Sequence, residues 1–251
     1  MKRWDHRFEV KPGRWVFVPT PTARAAGKII QSSVAKAWSR PPFYFHLRQG
    51  GHVAALRRHV GNQYFFRCDL DDFFGRINRT RITRCLKHYF PYAEARQMAD
   101  SSVVCRPGSA QTMLPYGYVQ SPILASLALD KSRAGKFLRQ CASNKNLKVS
   151  VYMDDIIFSS NDAVLLSDVV EKLAQLSNDA GLPLSEEKKE GPSSTVTAFN
   201  VDLSHNSLLI SKERIERFRL AYATTSSSYV ADGILGYVRS VNPAQVPVVS
   251  S

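Results

Sequence analysis

Residues 148–160 read Lys-Val-Ser-Val-Tyr-Met-Asp-Asp-Ile-Ile-Phe-Ser-Ser. Two apolar halves flank Asp154-Asp155, which predicts a hairpin with an acidic tip. Adjacent carboxylates between apolar strands are costly, because burial and mutual repulsion raise their pKa values unless cations compensate. A second stretch has the same character. Phe65-Phe66-Arg67-Cys68-Asp69-Leu70-Asp71-Asp72-Phe73-Phe74 sets Asp69 at the end of the run Tyr64–Leu70, which reads as a strand. Either stretch alone is most often a solvated turn. Lys or Arg could compensate these charges in so basic a chain; a divalent cation is the sharper answer, since Mg²⁺ takes hard oxygen ligands and keeps waters for substrate phosphates. Two such ions, roughly 3.5–4 Å apart, can bracket an in-line phosphoryl displacement, activating the attacking 3′-hydroxyl and holding the triphosphate.

Outward from these stretches the pattern is irregular. Arg14–Pro19 reads as a short strand, Ala23–Trp38 as a helix ending before Pro41-Pro42, and Phe73–Phe90 as a helix stopped by Pro91. Gln120–Cys141 reads as one long helix. Asp162–Ala180 is amphipathic, with Gly181 as its C-cap. Val196–Leu203 and Ser207–Ser211 read as a hairpin joined by Ser204-His205-Asn206, Ser211–Thr224 as a basic amphipathic helix, and the tail after Tyr237 as frayed. Regular βαβ alternation and the G-x-G-x-x-G fingerprint are absent. That argues against a Rossmann domain and for an α+β fold, an antiparallel sheet with helices on one face.

The 251 residues carry a formal charge of +13, and the first sixty hold twelve Lys/Arg against Asp5 and Glu9. Aromatics interleave with these cations: Trp4, Phe8, Trp15, Phe17, Trp38, Phe43, Tyr44 and Phe45. Cations neutralise phosphates and aromatic rings stack on bases, so the segment favours a nucleic-acid partner. No apolar run approaches the roughly 18 residues of a spanning helix, and no apolar stretch follows the basic N-terminus as in a signal peptide, so no membrane role is expected. Cys68, Cys85, Cys105 and Cys141 form no CxxC pair, which argues against zinc; they read as four small core residues with free thiols in a reducing cytoplasm.

The ordered set of motifs resembles bacterial retron-type reverse transcriptases, including defence-associated and group II intron-like relatives. Tyr152-Met153-Asp154-Asp155 resembles that family's catalytic hairpin, and Asp69–Phe74 resembles its first metal motif. Leu114-Pro115-Tyr116-Gly117 with Ser121-Pro122 is similar to the element that frames the incoming nucleotide. Gly181–Lys188 is similar to the lysine-bearing palm motif, Val196-Thr197-Ala198 to the primer-grip region, and Gly233–Val238 with Asn242-Pro243 to the start of the thumb. The resemblance covers about residues 10–245.

It implies a right-hand polymerase: fingers at 1–68 with further elements interleaved, palm at 69–204, and a reduced thumb and tail at 205–251. It implies RNA-directed DNA synthesis from dNTPs with two Mg²⁺ ions, Mn²⁺ being a substitute. Asp69, Asp154 and Asp155 are implied as metal ligands and Lys188 as the group meeting the pyrophosphate. Leu70, Asp72, Phe74, Tyr116, Gly117, Arg14 and Lys28 are implied to surround the nucleotide, Phe74 as steric gate against a 2′-hydroxyl; Lys11 or Arg24 are alternative fingers cations. Tyr152, Met153, Ser121 and Pro122 are implied for primer–template. The short thumb implies a structured noncoding RNA, a partner protein or self-assembly to complete it. The pattern departs from the family at Tyr116, where Gln is usual, and at Ala198, where retrons carry Gly. Tyr116 opens the alternative of template-independent synthesis; Tyr229 and Ser226–Ser228 allow a protein-primed one, and a catalytically silent nucleic-acid-binding module is a third. Neither a maturase nor an endonuclease segment is visible, nor the Gly-Gly-Asp-Glu-Phe turn of nucleotide cyclases.

Overall fold

The computed structural model describes residues 3–250. Strands β1 (Trp4–Lys11) and β2 (Arg14–Pro19) precede α1 (Pro21–Ala37), α2 (Gly51–Arg57), β3 (Tyr64–Asp69), α3 (Arg79–Leu86) and α4 (Tyr92–Ser102). Then come β4 (Val104–Cys105), β5 (Thr112–Met113), α5 (Ser121–Asp130), α6 (Arg133–Ser143), β6 (Lys148–Tyr152), β7 (Asp155–Ser160) and α7 (Ala163–Asp179). The chain closes with β8 (Glu190–Ser193), β9 (Thr195–Ala198), β10 (Val201–Ser204), β11 (Ser207–Ile210), α8 (Lys212–Thr224), α9 (Ser228–Val241) and α10 (Val246–Ser250). These elements form two compact units. The first holds the residues up to Tyr44, Leu70–Arg139 and Leu173–Leu184; the second holds Phe45–Asp69, Gln140–Lys172 and the residues from Ser185 onward. No helix among the described residues is long and apolar enough to cross a membrane.

The second unit is built on an antiparallel sheet of order β6-β7-β3-β8, the mixed α+β arrangement expected from the pattern. A further sheet, β11-β10-β9, shares a core with Phe65, Ile157, Ile215 and Val238. Here the structure corrects two expectations. Val196–Leu203 is not one strand but a hairpin, β9–β10, turning at Phe199-Asn200 with φ of 57° and 61°. Two consecutive positive φ values are what a tight two-residue hairpin needs, and Phe at the first is unusual. The tail is not frayed: α9 continues to Val241, and α10 follows with Val249 1% exposed in the core and contacts to α8 and α9.

Behind the sheet, His59 is fully buried, with Nδ1 hydrogen-bonded to Ser159 Oγ and Nε2 to Ser150 Oγ, both at 2.8 Å. Burial pushes its pKa down to about 3. A histidine depressed in the folded state takes up its proton more readily in the unfolded chain, so stability is full above the unfolded value near 6.5 and falls as pH drops toward 3. Unfolding free energies from denaturant titrations between pH 7 and pH 4 are expected to decline, by up to about 1.4 kcal/mol per pH unit for each such histidine. A flat profile would contradict neutral burial of His59.

The first unit opens with the β1–β2 hairpin, in which Trp4, His6, Phe8 and Val10 of β1 alternate with Asp5, Arg7, Glu9 and Lys11. Its helix α5 is buried on nearly every face. Asp130 at its end, 3% exposed, accepts from Trp38 Nε1 at 2.9 Å and from Arg139 Nε and Nη2 at 2.6 and 2.8 Å. A buried carboxylate persists where donors of this kind satisfy it.

Two helices expected here are shorter than their periodicity suggests. The single helix over Gln120–Cys141 is two, α5 and α6. Ser132 Oγ donates to Leu129 O and accepts from Gly135 N, ending one helix and starting the next. Gly135 is required at that junction, since a Cβ there would lie 2.0 Å from Leu129 O. The helix over Phe73–Phe90 is confined to α3. Residues 73–76 form turns and the extended Asn78 caps α3 by accepting from Arg81 N at 2.9 Å, while Asp72 before them has φ 44°. Of the four expected core cysteines, Cys68, Cys85 and Cys141 are buried free thiols and Cys105, on the two-residue strand β4, is exposed.

Candidate active site

Strand register brings the acidic residues of the second unit together. β3 and β7 pair antiparallel with Asp69 opposite Asp155, and β6 and β7 pair with Tyr152 opposite Asp155. Only Met153 and Asp154 remain to make the turn, and Met153 takes φ 61°, the positive first position of a two-residue hairpin. Carboxylate oxygens of Asp69, Asp154 and Asp155 lie within 4.8 Å of one another. Asp69 is 5% exposed, and Asp154 and Asp155 are half-buried.

Cations flank the cluster. Arg67, two residues before Asp69, donates to Asp155 Oδ1 from Nη2 at 2.9 Å and from Nε at 3.2 Å, and its Nη1 donates to Thr197 O at 3.0 Å. Lys188, carried by a short 3₁₀ turn, donates from Nζ to Asp69 Oδ2 at 2.9 Å. Burial raises the Asp155 pKa, against the Arg67 hydrogen bond and charge that lower it, and the Asp69 charge raises it further. Three converging carboxylates, with burial working against ionisation, are a donor set suited to a hard divalent cation. Asp69, Asp154 and Asp155 are the residues that would hold one.

The hairpin turn is held from the side. His46 Nδ1 accepts from Met153 N at 2.9 Å, and the Val151 backbone also bonds the ring. Burial lowers the His46 pKa to about 4, which keeps Nδ1 a neutral acceptor at physiological pH. Tyr152 sits among His46, His52 and Phe199, with ring centroids 5.8, 6.0 and 5.2 Å away.

In the first unit, three residues expected around a nucleotide form one cluster. The Tyr116 ring lies 4.7 Å from Phe74, and Arg14 places its guanidinium 4.8 Å from the Tyr116 centroid while Nη2 donates to Tyr116 OH at 3.2 Å. Phe17 N donates to Tyr116 O at 2.9 Å, which ties the loop to β2. Gly117 follows with φ 99°, and a Cβ there would come 2.3 Å from Phe17 O, so no other residue fits without moving the loop. Asp72 is exposed and pairs with Arg106; the adjacent Asp71 pairs with Arg76. Leu70 and Ser121 are buried: Leu70 bridges to Leu184, and Ser121 Oγ donates to Pro115 O at 2.7 Å. Pro122 lies in the first turn of α5, and Lys28 is exposed on α1.

The family model described as reverse transcriptase (RNA-dependent DNA polymerase) matches residues 10–203, most of the chain. The chain belongs to the reverse transcriptase family. Retron Mx65 reverse transcriptase of Myxococcus xanthus is 26% identical over 214 residues, covering 74% of this chain and 48% of that protein. The chain therefore spans about half the length of the curated relative it matches. Among solved structures, telomerase from Candida albicans in complex with a fragment of telomeric RNA superposes with a TM-score of 0.58 at 8% identity, over 94% of this chain and 53% of that one. A foamy viral protease-reverse transcriptase in complex with double-stranded DNA gives 0.53 at 17%, over 93% and 35%. At these identities the two structures establish a shared fold.

Three residues that bond the motif residues within their own unit escape the motif reading. Arg67 was legible, since positions i and i+2 of a strand share a face and Arg67 precedes Asp69 by two. His46 and Arg106 had no such signal, because their partners Met153 and Asp72 are 107 and 34 residues distant.

Proposed function

We propose that the chain is an RNA-directed DNA polymerase of retron or anti-phage defence type, adding dNTPs to a 3′-hydroxyl on an RNA template. The observation that carries this reading is the convergence of Asp69, Asp154 and Asp155 at the end of an antiparallel sheet, with Lys188 on Asp69. Mg²⁺ held there, as two ions, would lower the pKa of the attacking hydroxyl and neutralise phosphate charge. The protein's own groups then orient and discharge the reaction. Arg67 fixes the Asp155 carboxylate, and Lys188 meets the pyrophosphate oxygen as its bond to the α-phosphorus breaks. Arg14 and Lys28 attract the triphosphate, Asp72 meets it through its backbone, and Phe74 and Tyr116 close against the sugar and base. Fingers at 1–68, palm at 69–204 and thumb at 205–251 are the division this reading assigns. Its partners are an RNA template, the DNA product and a structured noncoding RNA or protein beside the thumb, acting in the cytoplasm.

The test is incorporation of labelled dTTP by purified protein on poly(rA) primed with oligo(dT) in Mg²⁺. Incorporation dependent on the template, with UTP excluded, is the expected result. Tyr116 in place of Gln favours one second reading, template-independent synthesis, and the lane without template decides between them.

The His46 hydrogen bond carries its own prediction. His46→Phe keeps a ring but loses the acceptor for Met153 N–H, and turnover is expected to drop about 10-fold, the scale of one lost hydrogen bond. His46→Asn places an oxygen near the position of Nδ1 and is expected to retain most turnover. Equal loss in both variants, measured as kcat at saturating dNTP, would show that ring packing alone matters.

A further inference from the structure

Away from the residues assigned to nucleotide addition, the first unit carries a concavity of about 430 Å³, lined from α3, the α5–α6 junction and the end of α7. Its charge is one-sided. Arg81, Arg84, Lys131 and Arg133 line it together with His88, and the one acid is Asp179, paired with Arg133 at 3.5 Å. Arg84 and Arg133 are exposed, while Lys131 is half-buried with its ammonium 4.9 Å from the Tyr89 centroid. Arg81 is also half-buried; its Nη2 donates to Ala180 O, and its Nη1 is buried with no hydrogen-bond partner among the described residues. A guanidinium so placed bears a desolvation cost that a negative charge beside it offsets.

We infer that this concavity docks the phosphate backbone of RNA outside the site of nucleotide addition. Cations concentrated on a concave surface focus field and raise the local concentration of anions. A small free anion is held tightly by several fixed, buried donors. Here the cations are spread along the concavity, Arg84 and Arg133 reaching into solvent and Arg81 and Lys131 half-buried, an arrangement that suits a polymer offering several phosphates in succession, each contact weak and the sum strong. The choice of RNA among polyanions rests on the proposed RNA-directed function; the phosphate site itself rests on the charges.

The test compares the whole protein with its Arg84→Gln/Lys131→Gln variant. The control is Lys145→Gln/Lys172→Gln, exposed positions elsewhere that remove the same net charge. The probe is a labelled RNA hairpin of about 30 nucleotides with a blocked 3′ end, titrated from 50 to 300 mM KCl. Each phosphate contact contributes about 0.9 to the slope of log K against log salt. The Arg84/Lys131 variant is expected to bind about 10-fold more weakly with a slope reduced by about 2, to melt unchanged, and to incorporate dTTP normally on saturating primed poly(rA). An unchanged slope, or an equal loss in the control, overturns the inference. So does lost incorporation with hairpin binding intact, or loss of pyrophosphate binding with RNA binding intact, which would assign the site to a free polyphosphate. Absence of incorporation in the parent protein would count against the polymerase reading alone, because the binding arm does not depend on it.

Discussion

Asp154→Asn is expected to lower nucleotide incorporation by roughly 10³-fold or more, the scale on which charge-stabilising groups act in phosphoryl transfer. Asp154 stands at the second position of a two-residue turn, so its carboxylate is set by the hairpin and lies with those of Asp69 and Asp155 within 4.8 Å. The amide keeps the shape of the side chain and removes its charge. Removal of one of three converging negative charges also relieves repulsion, so the melting temperature of the metal-free protein is expected to stay level or rise. Loss of activity with unchanged or higher stability separates a site residue from a structural one. The measurement is incorporation per minute beside a thermal melt, each with and without Mg²⁺. Mg²⁺ is expected to stabilise the parent protein more than the variant, because a ligand that binds the folded state raises its stability. A variant with near-normal incorporation would remove the carboxylate cluster from the mechanism.

Phe74→Val is expected to reduce discrimination against ribonucleotides by roughly 10–100-fold, the range over which an apolar pocket separates substrates differing by one hydroxyl. Phe74 is 4% exposed and its ring lies 4.7 Å from Tyr116, so the two rings act as one wall. Valine keeps the position apolar while removing the part of the ring that would meet a 2′-hydroxyl. The smaller side chain leaves a void, and a stability loss of about 1–3 kcal/mol is expected in the first unit. The ratio of kcat/KM for dTTP to that for UTP reads the effect, with Tyr116→Phe as the comparison. Loss of the Tyr116 hydroxyl removes its bond to Arg14 and leaves the wall standing, so discrimination is expected to persist there. An unchanged ratio in Phe74→Val would assign Phe74 to the core alone.

What the sequence showed of this molecule depended on whether the deciding contacts were local. The hairpin at Tyr152–Asp155 was legible because two apolar runs and a short polar break define it within thirteen residues. Lys188 was legible as a site residue only through its resemblance to a known motif; the run Glu186–Lys189 otherwise reads as a solvated charge cluster. The β9–β10 hairpin was hidden because Phe199-Asn200 lacks the glycine that usually marks consecutive positive φ values. The break between α5 and α6 was hidden because a single serine, Ser132, caps in both directions inside an unbroken helical pattern. The C-terminal helix was missed because Pro, Val and Ser at a chain end read as a frayed tail, whereas Val249 is held by tertiary packing. Arg106 and His46 show the same limit, each in its own unit, since each acts on a residue distant in sequence.

The most direct measurement is to sequence the product made on a heteropolymeric RNA of known sequence, annealed to a DNA primer, with Mg²⁺ and all four dNTPs. DNA complementary to the RNA, absent when Asp154→Asn replaces the parent protein, is the predicted result. DNA unrelated to the template, or complementary DNA made equally well by Asp154→Asn, would contradict RNA-directed synthesis at the Asp69–Asp154–Asp155 site.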